Sequence, residues 1–202
     1  MSQSDRDKWN ARYLDGAYSD RSHPSVLLRE WLPALTPEVR RPRAIDIACG
    51  LGRNTIFLAR QGWQVTAVDI SEVALGHLRE MAAAEALPIV CIQADLEQTS
   101  KLPESLLAPD SYDLAVMFRY TSLELIDVLR HGLKVGGCLI VEKHMTTESQ
   151  VVGPRSLRFR VAPGALRDAA RRLNIIDYRE GVSKDPDGRP VALAQLVARR
   201  AV

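Results

Sequence analysis

The chain's 202 residues include 27 Lys and Arg against 25 Asp and Glu, a net charge of +2, with 46% hydrophobic residues. That balance gives no electrostatic bias toward nucleic acid or a membrane surface, and the length suits one domain that can bury a core without metal or disulfide support. The three cysteines, Cys49, Cys91 and Cys138, lack metal-ligand spacing and read as buried free thiols. The N-terminus has no signal-like apolar region and no apolar run approaches about eighteen residues, so a cytoplasmic protein is expected.

In chain order, Ser4–Leu14 predicts a helix capped by Ser4 or Asp5, with Trp9, Tyr13 and Leu14 on one face. Ser25–Leu35 predicts a second, turning Val26, Leu27, Leu28, Trp31 and Leu32 to the core. Pro33, Pro37 and Pro42 with Arg40, Arg41 and Arg43 read as a solvated connector. Arg43–Ala48 then predicts a buried strand, Gly50-Leu51-Gly52 a tight turn, and Arg53–Gln61 a helix stopped by Gly62. Gly50 and Gly52 let the backbone turn sharply and approach a ligand closely, and the helix start offers free N–H groups.

This turn lacks the third glycine of a dinucleotide fingerprint, because Thr55 stands there. Asp46, four residues before Gly50, would repel a pyrophosphate but favour a cationic ligand. A second strand, Gln64–Asp69, ends on an acid at the spacing expected for holding ribose hydroxyls. Ser71 caps a helix running to Leu87, ended by Pro88. Ile89–Ala94 is a third strand with Asp95 at its carboxyl end. After a connector over Lys101–Asp110 come a strand at Tyr112–Met117, a helix at Ser122–His131, a turn at Gly132–Gly137 and a strand at Cys138–Glu142. The alternation predicts a parallel α/β sheet with helices on both faces. Thr146–Ala162 reads as a long loop beside the site. A helix from Pro163 to Leu173 follows, then two strands, Asn174–Val182 and Val191–Arg200, joined through Asp185-Pro186-Asp187-Gly188-Arg189.

Asp46-x-x-x-Gly50-x-Gly52, Asp69 and Gln93-Ala94-Asp95-Leu96 together resemble the class I S-adenosylmethionine (SAM) methyltransferases. Asp7-Lys8-Trp9-Asn10-Ala11-Arg12-Tyr13 and Ile47-Ala48-Cys49-Gly50-Leu51-Gly52-Arg53-Asn54 are similar to the bacterial tellurite-resistance and thiopurine methyltransferase branch. The resemblance implies a Rossmann-like seven-stranded sheet, mostly parallel with a C-terminal antiparallel hairpin, in a single domain over residues 1–202 whose first forty or so residues form a helical lid. It implies S-adenosyl-L-methionine as cofactor, with Asp46 and the Ala48 and Gly50 backbone facing its methionine end, Gly52 shaping the turn, Asn54 among the cofactor-binding residues, and the Phe118 or Arg119 backbone completing the methionine pocket. Asp69 would hold the ribose, Ile70 and Leu96 flank the adenine, and Asp95 meet the adenine amino group. Asp95 as a turn cap is the competing reading. Trp9, Arg12 and Tyr13 would cover the cofactor or contact the substrate, the competing reading being a first helix simply docked by an aromatic.

For the acceptor, Arg119 reads as an anion clamp, Tyr120 as a hydrogen-bond donor and His144 as a base near neutral pH. Each has an ordinary structural alternative. Arg155, Arg158 and Arg160 are further anion-attracting candidates. Methyl transfer to a soft thiolate or a selenium or tellurium oxyanion needs no strong base, and no metal is expected. The segment after the fourth strand lacks the residues of base-methylating enzymes, leaving a small-molecule acceptor, no nucleic-acid or membrane partner, and a monomer or homodimer. A nicotinamide-dependent oxidoreductase and a non-catalytic SAM-binding protein are the rival readings.

Overall fold

The computed structural model describes residues 3–19, 21–35, 37–98, 102–103, 106 and 108–201. Positions 101, 104, 105 and 107 of the connector expected over Lys101–Asp110 lie outside these. Seven strands are formed: β1 (Arg43–Ile47), β2 (Gln64–Asp69), β3 (Ile89–Gln93), β4 (Tyr112–Phe118), β5 (Leu133–His144), β6 (Asn174–Lys184) and β7 (Pro190–Arg199). They make one sheet in the order β3-β2-β1-β4-β5-β7-β6. The first five run parallel, while β7 pairs antiparallel with both β5 and β6. The helices are α1 (Gln3–Leu14), α2 (Val26–Leu35), α3 (Arg53–Arg60), α4 (Glu72–Ala84), α5 (Leu125–Gly132) and α6 (Ala165–Ala169).

The central strands β1, β4 and β5 are mostly buried because both of their faces are covered, as parallel strands require. Alternate residues part to opposite sides. Ile45, Ile47, Ala115, Met117, Leu139 and Val141 meet Leu125 and Leu129 of α5 and Leu166 of α6. Ala44, Leu114, Val116 and Ile140 meet Leu27, Leu28 and Leu32 of α2 and Leu58 of α3. Ile56, Ala67 and Leu78 close a third cluster between α3, α4 and β2.

Several boundaries differ from expectation for physical reasons. Pro33 lies inside α2 rather than in a connector, on its exposed side. Val26 and Leu14 are solvent-facing instead of packed. The first strand stops at Ile47, because Ala48 turns to a positive φ of 55°. Strand β5 starts at Leu133, five residues early. The glycine-containing turn there stays paired through Tyr112↔Leu133, with a register shift before Leu114↔Cys138. Helix α6 is only five residues long, since Gly164 enters it at φ 80° and the chain leaves it at Ala170. The loop over 146–162 is tied down by bridges from Met145 to Val161 and from Val152 to Val191.

Candidate functional site

The sheet reverses its strand order between β1 and β4, and ligands bind such sheets at the carboxyl edge beside that point. A cleft of about 1120 Å³ opens there, lined from the ends of β1, β2 and β4, from α1 and from the loop after β5. It exceeds the roughly 300–1,000 Å³ usual for a pocket holding one small ligand, so two molecules have room side by side.

One wall is the glycine turn. Gly50 and Gly52 take φ values of 55° and 81°. The Gly50 N–H donates to Asp69 Oδ2 at 2.8 Å and the Ser71 N–H to Asp69 Oδ1 at 2.9 Å, which locks the ends of β1 and β2 together. Asp69 lies almost wholly buried at 6% exposure, and burial holds its carboxyl above the usual carboxylate range against those two N–H donors. Each carboxylate oxygen keeps a lone pair beyond the one these donors use. Ser71 also caps α4, accepting from the Ala74 N–H at 3.2 Å.

Helix α1 lies across this wall. Asn10 Oδ1 accepts from the Ser71 hydroxyl at 2.7 Å. Trp9 and Tyr13 stack with ring centres 5.9 Å apart, and the Arg12 guanidinium sits 4.9 Å from the Trp9 ring. Burial, then the Asp69 charge, raises the Tyr13 phenol pKa well above its ordinary value, so it remains a neutral donor.

The two glycines have different tasks, and the alanine variants should separate them. A Cβ on Gly52 would collide with Cδ1 of Leu78, whose side chain is fully buried. Gly52→Ala therefore combines overpacking with left-handed strain and should cost roughly 2–4 kcal/mol of stability. A Cβ on Gly50 would meet only the Tyr13 hydroxyl, at 2.9 Å. Gly50→Ala should cost about 1–2 kcal/mol while displacing Tyr13 and α1, read as a Trp9 fluorescence change. Denaturant titration of both variants checks this; equal losses would mean Leu78 yields.

The cleft is lined by Trp9, Arg12, Ala48, Gly50, Asn54, Asp69, Ile70, Leu96, Phe118, Arg119, Tyr120 and His144. Asp46, Gly52 and Asp95 stand behind it. Asp46 alternates with the core residues Ile45 and Ile47 and faces α3, where its Oδ2 accepts from the Thr55 hydroxyl at 2.6 Å. At 1% exposure, burial pushes its pKa up to about 7 against that hydrogen bond. Asp46 thus braces the turn from beneath, with the threonine that replaces a third glycine as its partner. Asp95 turns onto its own loop, accepting from the Glu97 N–H at 3.0 Å and from Gln98 Nε2 at 2.5 Å. Asn54 does double service: Oδ1 accepts from the Ser25 N–H at 2.8 Å, tying the start of α2 to α3.

The opposite wall holds a group of charges. Arg119, just past β4 with φ 61°, donates from Nε to Glu142 at 2.6 Å and from Nη2 to Asp185 at 2.8 Å. Its Nη1 lies 3.3 Å from His144 Nε2. The guanidinium is thus already engaged on three sides, which weakens its reading as a free anion clamp. Arg21 and Arg53 line the same end. Arg53 is held below its ordinary pKa by burial and then by the Arg119 charge, whereas Arg21 lies 4.0 Å from Asp185. Arg21 and Asp185 carried no site signal in the sequence, and Arg53 entered only as part of the motif that follows Gly52. Asp185 reads there as a turn residue, and its partner Arg119 is 66 positions away.

His144 does not act as a near-neutral base here. An arginine N–H only donates, so the facing His144 Nε2 must accept, and the ring proton sits on Nδ1. Burial, then Arg119 and Arg160, pushes its pKa down to about 3. The Nδ1 is buried without a partner. The ring should stay neutral between pH 5 and 8, so its carbon-bound proton resonances should not shift over that range. A titration midpoint near 6.5 would show an ordinary solvated imidazole.

Residues 44–137 match the family model described as a methyltransferase domain. Over 171 residues the chain is 24% identical to a probable SAM-dependent methyltransferase, TehB, of Haemophilus influenzae, with 78% of this chain and 57% of that protein covered. It is 29% identical over 188 residues to Hemagglutinin 1 of Eikenella corrodens, covering 87% of this chain and 60% of the relative. The chain therefore spans under two thirds of the length of these relatives. The crystal structure of TehB from Haemophilus influenzae superposes with a TM-score of 0.69 at 21% identity, covering 91% of this chain and 66% of that one. The fold and the glycine turn, with these likenesses, are similar to those of the class I SAM-dependent methyltransferases.

The residues present fit the cofactor of that class. The buried Asp69 carboxylate retains acceptor capacity toward the cleft, the Gly50 turn offers close backbone approach, and Ile70 and Leu96 supply apolar surface.

Proposed function

We propose that the chain moves a methyl group from SAM to a small soft or anionic acceptor, such as a thiol or a selenium or tellurium oxyanion. The observation that carries this reading is the two-walled cleft, with the Gly50–Asp69 lock on one side and Arg21, Arg53 and Arg119 on the other. In this reading Asp69 holds the ribose, Ile70 and Leu96 flank the adenine, and the Ala48–Gly50 backbone with Phe118 receives the methionine end. The cofactor supplies an electrophilic methyl group on a positively charged sulfur. The protein's own part is to align the acceptor with that carbon and to exclude water.

On the acceptor side, three arginines face two carboxylates, Glu142 and Asp185. The surplus positive charge favours an anion. His144 supplies no base, so the acceptor must arrive as a good nucleophile, as a thiolate or a tellurium or selenium oxyanion does. Helix α1, with Trp9, Arg12 and Tyr13 on the cleft, serves as the lid of a single domain over residues 1–202. No helix among the described residues is long and apolar enough to cross a membrane.

Radiolabelled methyl transfer from SAM across thiols, selenite, tellurite and carboxylates tests the reading. Label should pass to a soft acceptor and not to simple carboxylates. Tight nicotinamide binding with no calorimetric response to SAM would instead favour an oxidoreductase. SAM binding with no transfer to any of these acceptors would favour a non-catalytic binder.

A further inference from the structure

Strand β5 ends in Glu142-Lys143-His144. Glu142 and His144 face Arg119, and Lys143 points to the opposite side of the sheet. Lys143 is 1% exposed, among the largest fully buried side chains of the molecule. Its Nζ donates to the carbonyl of Tyr120 at 2.5 Å and to the carbonyl of Ser122 at 3.1 Å. Met117 Sδ lies 3.8 Å away.

A lysine in a hydrophobic core is costly unless it is paired and hydrogen-bonded. A methionine of similar volume would pack here without that cost. The retained amine must therefore do something an apolar side chain cannot. Its two carbonyl partners belong to the segment that follows β4. That segment is gripped from the other side as well, since the Glu142 carbonyl accepts from the Arg119 N–H at 2.7 Å. Tyr120, Thr121, Ser122, Leu123 and Glu124 all line the cleft. The Tyr120 hydroxyl itself is buried without a partner. Burial alone, with no charged neighbour, moves the Lys143 pKa down to about 7. A neutral amine has two N–H bonds for two carbonyls, so the arrangement needs no counter-ion.

We infer that Lys143 is a positioning residue for the acceptor: from behind β5 it fixes the Tyr120–Ser122 backbone so that the side chains of this segment face the acceptor half of the cleft. This rests on the two-molecule reading of the cleft given above. Lys143 itself touches neither ligand. Its removal should alter the acceptor wall and spare both the Gly50–Asp69 wall and the fold.

Lys143→Met removes both donors at nearly constant volume, and Lys143→Gln keeps a donor group on a slightly shorter chain. In Lys143→Met the melting temperature should hold or rise, while amides 120–124 exchange about tenfold faster, the loss of one net hydrogen bond. S-adenosylhomocysteine affinity should remain within about threefold by calorimetry, since a contact not made to the ligand carries little of its binding energy. For whichever of the thiol, selenite or tellurite probes the wild type methylates, KM should rise about tenfold, with a smaller change in kcat. Lys143→Gln should recover part of both effects.

Wild-type exchange at 120–124 in Lys143→Met overturns the proposal. So does exchange raised across the whole sheet with a lower melting temperature in both variants, which would make Lys143 structural. The exchange measurement needs no turnover. A wild-type protein that methylates none of the probes would therefore sink the function proposed above, while the exchange result still decides the role of Lys143.

Discussion

Asp69→Ala should weaken SAM binding by roughly 1–3 kcal/mol, the cost of leaving buried hydrogen-bond partners unpaired, or about five- to 150-fold in the dissociation constant. The structure places the effect toward the upper end. The same carboxylate holds the Gly50 and Ser71 N–H groups, so its loss also releases the glycine turn and loosens the cap of α4. Asp69→Asn keeps one carbonyl oxygen for one of those donors, and should fall between wild type and the alanine variant. Calorimetric titration with SAM or S-adenosylhomocysteine reads both variants. Denaturant unfolding should show a parallel loss of stability of about 1–3 kcal/mol in the alanine variant, because two buried N–H groups become unsatisfied. Unchanged cofactor affinity together with that stability loss would mean that Asp69 only ties β1 to β2 and that the cofactor lies elsewhere.

The motif residues separate what a sequence shows from what it hides. Strand β2 runs Gln64–Asp69 as expected, and Ser71 caps α4, because a short apolar run and a capping hydroxyl are local signals. The alternation of strands and helices predicts a parallel sheet, and the cleft opens at its carboxyl edge beside the observed reversal of strand order. The orientation of a single side chain within a strand is a different matter. Asp46 sits four residues before Gly50, which suggests a ligand contact, yet the pleat sends it to α3 and Thr55. Asp95 stands at the right end of β3 and still turns onto its own loop, since Asp competes well for nearby backbone N–H groups.

The wall built around Arg119 is the least legible part. Arg119 meets Glu142, His144 and Asp185 across 23, 25 and 66 residues of chain. No periodicity encodes a contact between β4, β5 and the tip of the β6–β7 hairpin. His144 is identifiable as a residue at the end of a strand, but its chemistry is set by the arginine beside it and by burial. The early start of β5 is hidden for the same reason. Gly136 and Gly137 look like a free turn, whereas the Gly136 N–H donates to the Arg200 carbonyl at 2.9 Å from the far end of the chain.

Lys143 should also leave a mark on stability as a function of pH. Its folded pKa is lowered to about 7 from about 10.4 in an unfolded chain. Below pH 7 both states bind the proton and the cost of the buried charge is fully present. Between pH 7 and about 10.4 the unfolded state binds it and the folded state does not, so stability rises with pH. The full rise is on the order of 4 kcal/mol. Cys49, Cys91 and Cys138, whose thiol pKa values burial raises, act in the opposite sense. Their unfolded thiols ionise first, and stability falls as pH climbs past about 8.5. Wild type and Lys143→Met share the thiols, so the difference between their unfolding free energies isolates the amine. Lys143→Met should be the more stable protein at pH 6, and its advantage should shrink steadily toward pH 10. Parallel curves would mean that the amine is solvated or paired in the folded protein, and that nothing is being held in place at a cost in stability.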